Sequence, residues 1–367
     1  MTIFYVPTMP IIAFAFIFTG LFVAVLAQSH IIEDRSVGFF RDPRLGFISV
    51  MVMVLTIILA LACTYFTLQR FIASVYYQRG VSIVNKQYPD QASAIAGLAS
   101  AEELIKKANS IWTDDFYYAR LSEINLAKLN ILAAQLSVSG LSKEKTDALV
   151  AQFAPIRDQM IGNAQSAIAS DPNNYQNYDI FGHVAEALIP VPLPGAYENA
   201  VIAYKKVIEL NPHNPGAYLS LARVELAHKD TKQAYAYVDK ALAEKPNYTE
   251  AIIFKSQLQI QDNDLKGAIA SVTSLANFNP NDPTVLFQLG FLLYNDKNWQ
   301  GAGFALSRAV EINPGYANAR YFLGLVFSNL NMRDQAIAQF TEVARTNPDN
   351  IEVKNILTNL QAGRAPF

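Results

Sequence analysis

The first 32 residues, Met1 to Ile32, contain no charged side chain, and a second gap in charge runs for 25 residues between Arg44 and Arg70. Cysteine is nearly absent: Cys63, inside the second gap, is the only one, so no intrachain disulfide framework can exist. A small apolar role, buried or facing lipid, suits that residue. The four histidines (His30, His183, His213, His228) are scattered and none has a second ligand at metal spacing. A zinc site needs three or four close ligands, so no metal and no cofactor is expected. A basic surplus is missing too: the net charge is −2, which argues against a nucleic-acid partner. No Gly-rich phosphate loop, His-Glu-x-x-His or Gly-x-Ser-x-Gly motif occurs, and the chain is not expected to be an enzyme. The adjacent carboxylates Glu102-Glu103 and Asp114-Asp115 read as solvated groups near helix ends. Asn247-Tyr248-Thr249 fits a glycosylation sequon but occupies a turn between repeats.

The charge gaps predict two membrane helices, at about 9–28 and 45–69, in an anchor over residues 1–70. Twenty-four helical residues from Leu45 to Leu68 reach about 36 Å at about 1.5 Å each. That exceeds a hydrocarbon core of roughly 30 Å. In lipid a lone segment must satisfy its own backbone hydrogen bonds, which requires a helix. Arg44 and Arg70 can reach the two interfaces, with Tyr65 near one end. The rival for the first stretch is a signal peptide, with Val25-Leu26-Ala27 resembling a cleavage site. A signal peptide wants a positive leader, and this one has no Lys or Arg. The loop Gln28–Arg44 carries Arg35, Arg41 and Arg44 against Glu33, Asp34 and Asp42. The far side offers Arg70, Arg79 and Lys86 at wider spacing, and by the positive-inside rule the positives of the short loop lean it toward the cytoplasm and the C-terminal domain outside it. The expectation is an integral protein of a bacterial inner membrane, with the bilayer as partner through residues 9–69.

The rest of the chain is periodic. Prolines fall at Pro212, Pro246, Pro280, Pro314 and Pro348, each 34 residues from the last. Ala200, Ala234, Ala268, Ala302 and Ala336 keep the same step. A third column holds Val207, Ala241, Leu275, Ala309 and Val343, and a fourth holds Leu221-Ala222, Leu289-Gly290 and Leu323-Gly324. The small residues suit close approach of helix axes. The Asn-Pro or Lys-Pro pair ends the second helix, because proline disfavours α conformation in the residue before it. Each unit is thus a pair of antiparallel helices.

These columns resemble the tetratricopeptide-repeat family, over five repeats at 173–350. The resemblance implies an all-α fold, a right-handed α-solenoid preceded by the two transmembrane helices. The repeat at 173–212 carries a six-residue excess around Ile189-Pro190-Val191-Pro192-Leu193-Pro194, expected to lengthen its internal turn. Residues 71–172 form divergent repeats: Ser74–Lys86 with Ala92–Ser110, then Phe116–Leu136 with Met160–Ser170, the latter pair joined by an extended connection near Ser137 to Lys145. Residues 351–367 supply a capping helix, Ile351–Leu360, with Asn355 and Asn359 facing water, and a tail.

The family's architecture implies a protein or peptide partner in the groove lined by the first helices. Its inward positions hold Arg223, Gln257, Phe287, Phe291, Tyr294 and Tyr321. The competing reading is that these aromatics pack between repeats. The carboxylate clamp of chaperone-binding members is absent, since its positions read Asp179, His183, Leu219 and Arg223. The expected function is a membrane-anchored scaffold for protein–protein interaction in a bacterial cell-envelope assembly. A second resemblance rests on Ser74-Val75-Tyr76-Tyr77-Gln78-Arg79-Gly80 and Asp115-Phe116-Tyr117-Tyr118-Ala119-Arg120-Leu121-Ser122 followed by repeats. It is to the tetratricopeptide-bearing C-terminal part of bacterial O-antigen ligase-like membrane proteins. This implies the alternative of a non-catalytic accessory, or detached tail, in a glycan-assembly system. The family's catalytic part needs many membrane helices, so no catalytic residue carries over.

Overall fold

The structure is a computed structural model. It describes residues 43–137, 141–190 and 194–367, with Phe18, Phe22 and Val25 besides. The expected first membrane helix, 9–28, lies outside the described residues apart from those three. Among the described residues every regular element is a helix. The chain divides into two compact units, 1–172 and 173–367.

In the first unit, α1 is Pro43–Val84, α2 Gln91–Ile111, α3 Asp115–Leu136 and α4 Lys143–Ser170. The expected helix at 45–69 and the one from Ser74 are a single element. No Gly or Pro interrupts the run between them, so the ladder of hydrogen bonds continues. At about 1.5 Å per residue, α1 is about 63 Å long. Its two halves differ. From Phe47 to Ile72 the large apolar side chains are exposed, whereas Ala73 and Tyr77 are buried against α2 and α3. The hydroxyls of Thr56, Thr64 and Thr67 donate back to the carbonyls of Met53, Ala60 and Cys63, which satisfies them within the helix.

α4 departs from expectation. It begins at Lys143, capped by the Ser142 hydroxyl, where an extended connection leading to a helix from Met160 was expected. Pro155 lies inside it, which hid the continuity from the sequence. Glu102 also departs from expectation. It is no solvated terminal group but a buried carboxylate in mid-helix, paired with Lys106 and with the buried Lys128 of α3. Asp114 does cap a helix, accepting from the Phe116 N–H at the start of α3.

In the second unit five helix pairs follow: α5 Tyr175–Leu188 with α6 Ala196–Leu210; α7 Pro215–Ala227 with α8 Thr231–Glu244; α9 Thr249–Gln261 with α10 Leu265–Phe278; α11 Pro283–Asn295 with α12 Trp299–Ile312; α13 Ala317–Asn329 with α14 Arg333–Thr346. α15, Ile351–Gln361, closes the stack by laying Val353, Ile356 and Leu360 into the last core. Asn355 is exposed there, but Asn359 donates to the Pro366 carbonyl and fastens the tail. Successive helices pack in sequence order, and the first helices α5 and α7, and α11 and α13, also touch directly. α5 ends at Leu188 and α6 begins at Ala196, a longer connection than at 228–230 or 262–264.

The alanine column is wholly buried. The small column explains how the helices of a pair approach. A Cβ added to Gly182 would sit 2.6 Å from the Tyr204 ring, to Gly290 2.5 Å from Leu306, and to Gly324 2.6 Å from Phe340. Where the first helix carries Ala222 or Ser256 instead, the facing position holds the smaller Val238 or Val272. Volume is thus traded across each crossing. The turns inside the last four pairs share one backbone solution. Lys229, Asn263, Lys297 and Asn331, again 34 residues apart, take positive φ between 61 and 69°. The next N–H then reaches back to a carbonyl five residues earlier, as from Asp230 to Glu225 and from Asn298 to Leu293.

Candidate functional site

The six expected groove residues all lie on first helices, but they fall into two chemically different regions. The first is polar. Arg223 on α7 is half-buried, with Nε donating 2.9 Å to Glu186 Oε1 of α5 and Nη2 donating 2.8 Å to the Ser220 hydroxyl. The other Glu186 oxygen accepts 2.6 Å from the hydroxyl of the buried Tyr204. His183 stands edge-on to that ring at 5.6 Å and donates through Nδ1 to the Asp179 carbonyl. Burial pushes the Asp179 carboxyl above the usual carboxylate range, and Glu186 adds to it against the opposing pull of His183 and Arg223. Of the four positions tested for a clamp, Leu219 is core and Arg223 is already held by Glu186.

The second region is aromatic and centres on Phe322 of α13, which the sequence reading missed. Ring centroids lie 5.0 Å away for Phe291, 5.4 Å for Tyr294, 5.5 Å for Tyr321 and 6.0 Å for Phe287. Phe287 also packs 5.1 Å from Tyr316, and Tyr294 5.2 Å from Trp299. Tyr321 donates 2.7 Å to Glu352 Oε1, and burial followed by that bond pushes its phenol well above the ordinary range. Most of these rings therefore pack between repeats and are half-buried. Phe291 differs: 37 % of its surface is open. Gln257, on α9 between the two regions, is exposed. A helical period could have flagged Phe322, which follows Tyr321 in sequence and turns toward α11. Its role depends on which neighbour it meets, and that is not in the period.

Two tetratricopeptide-repeat family models match the second unit, one over residues 225–286 and 293–360, the other over 195–249. These segments are tetratricopeptide repeats. The matches begin at α6; α5, outside them, packs on α6 with Gly182 against Tyr204, as Gly324 packs against Phe340. Neither match indicates an enzyme family, and interaction with other proteins is the role that tetratricopeptide repeats serve. No curated protein matches the chain. Among solved structures the chain is similar to YrrB, titled a TPR protein with an unusual peptide-binding site. The identity is 22 % over 52 % of this chain and 95 % of that one, with a TM-score of 0.41. It is also similar to MamA, at 21 % over 42 % and 90 % with a TM-score of 0.37. For MamA from Desulfovibrio magneticus RS-1 the values are 18 %, 47 % and 97 %, with a TM-score of 0.39. Similarity at this level says nothing of what this chain binds. The resemblance to O-antigen ligase-like proteins receives no support from any of these matches. Among the described residues no three His, Cys, Asp or Glu side chains converge as metal ligands.

Proposed function

We propose that the chain is a membrane-anchored tetratricopeptide scaffold of a bacterial cell envelope. On this reading its five repeats, 173–350, dock a protein or peptide on the face of their first helices. The observation that carries the docking surface is Phe291. It is open on one side and held on the other by Phe287 and Phe322, so it offers apolar area with little rotamer freedom left to lose. Gln257 and Arg223 extend the same face toward the polar end. The anchor reading is supported by α1. One helix among the described residues is long and apolar enough to cross a bilayer, and its apolar stretch is uncovered within the chain. A monomeric soluble protein rarely exposes an apolar patch beyond a few hundred Å².

The docking face is tested by Phe291→Ala beside Phe304→Ala, the latter at a ring 80 % exposed on the second helix α12. Affinity capture from solubilised envelopes should lose a specific partner with Phe291→Ala and keep it with Phe304→Ala, with helicity unchanged in both. Capture that survives Phe291→Ala counts against this face. Protease accessibility in intact cells tests the side: digestion of the repeats from outside the inner membrane is expected, and full protection would reverse the orientation.

A further inference from the structure

We propose that the α5 end of the docking face takes a basic side chain, Lys or Arg, of the peptide that Phe291 holds, and that Asp179 is the residue that pairs with it. The inference rests on the docking reading above and names the chemistry of its partner. Asp179 stands three residues before Gly182, as Phe287 stands before Gly290 and Tyr321 before Gly324. The same place holds Leu219 on α7 and Ile253 on α9. Four of these five positions are apolar or aromatic, and Phe287 and Tyr321 use theirs to pack against Phe322. Asp179 puts a carboxylate where the other repeats put packing.

An ionised group that has left water needs a partner. Among the described residues none supplies a hydrogen bond to this carboxylate. His183 Nδ1 lies 3.7 Å from Oδ2, too far for such a bond, and already donates to the Asp179 backbone carbonyl. Arg223 is committed elsewhere, to Glu186 at 2.9 Å and to the Ser220 hydroxyl at 2.8 Å. Each oxygen of Glu186 has its own donor, one from Arg223 and one from Tyr204. With those groups paired, the charge left over at this end is that of Asp179. Burial works against its ionised form, and an incoming cation would work for it. The side chain is 35 % exposed, so the groove side is open to a ligand while water screens the pair incompletely.

The next row of the same face reads His183, Arg223, Gln257 and Phe291 on α5, α7, α9 and α11, and α11 carries no charged side chain. The face therefore runs from one uncompensated negative charge to one open aromatic ring. Charge complementarity asks for a basic group at the first end and an apolar group at the second. Asp179 and Phe291 are three helix positions apart, about 27 Å at about 9 Å per packed helix. An extended segment covers that in about eight residues.

The test pans a display library of random peptides, long enough to span both positions, on the full-length chain in detergent. Peptides that bind are then resynthesised with norleucine in place of the basic residue, and fluorescence anisotropy gives Kd on the wild type and on Asp179→Asn. The wild type should select Lys or Arg at a fixed distance from an apolar residue. Norleucine should weaken binding to the wild type about tenfold, a usual worth for a charge-assisted hydrogen bond. On Asp179→Asn the two peptides should bind alike. Asparagine keeps the size of the side chain and removes the buried charge, so the variant should fold, and circular dichroism checks this. Selection of an apolar residue without a basic one, or a basic preference that survives Asp179→Asn, overturns the role of Asp179 and leaves the docking face standing. A library that yields no binder to the wild type overturns the docking face and the basic anchor together.

Discussion

At Gly324 the repeat's regularity meets its packing. An alanine there would push its methyl into the Phe340 ring, which is fully buried and has nowhere to go. Gly324→Ala should cost about 1–3 kcal/mol, the usual range for overpacking a filled core. Adding Phe340→Val should return part of that loss, because Ala222 faces Val238 in the same way three repeats earlier. Urea melts of the four chains of this double-mutant cycle measure the coupling; strict additivity would contradict the trade in volume. The glycine column was legible from the 34-residue step. The match of sizes was not, because it requires knowing that Gly324 faces Phe340. Asp179 gives a second residue-scale expectation. Burial raises its pKa in the fold, so the protonated form is favoured there. The stability is fully present below the ordinary carboxylate pKa of the unfolded chain and is lost as pH rises from there through the raised folded pKa. Asp179→Asn should therefore raise the melting temperature at pH 7, with the gain shrinking toward pH 4. A gain that grows on acidification would contradict the assignment.

Among the turns inside the last four pairs, the one before α14 lacks a side-chain cap. Asp230, Asp264 and Asn298 accept from the third following N–H and cap α8, α10 and α12. The equivalent residue before α14 is Met332, which cannot accept such a bond, although its backbone (φ −94°, ψ 63°) already matches that of Asp264 (φ −86°, ψ 69°). Met332→Asp should stabilise the chain by about 1 kcal/mol, the usual worth of a side-chain cap. A thermal melt that does not rise would show that the end of the array frays independently. The limits of the repeat helices were legible because proline and the cap residues recur. Those of α1 and α4 were not. α1 crosses from an apolar to a packed environment with no break in helix-forming residues, and α4 carries Pro155 inside it. Glu102 shows the same limit: a charge paired inside the fold looks like any surface carboxylate until Lys128 is placed beside it.

For the whole molecule, the sequence announced both an apolar segment and a repeat array, and the structure adds how the apolar segment meets the first unit. α1 runs from its exposed apolar half into the core of the first unit without a linker. Of the groove residues read from the sequence, the structure turns most into inter-repeat packing and leaves Phe291 as the open aromatic among them. Substituting Phe287 would therefore disturb the array itself, whereas position 291 can be altered with less effect on the fold. The most direct measurement places a photo-crosslinking amino acid at position 291, with a control at position 304, and reads the adducts in carbonate-washed membranes. The expected result is a discrete protein adduct from position 291, retained in the pellet, and none from position 304. The same adducts from both positions, none from position 291, or a chain released to the supernatant would contradict a membrane-anchored scaffold that docks its partner on the first helices.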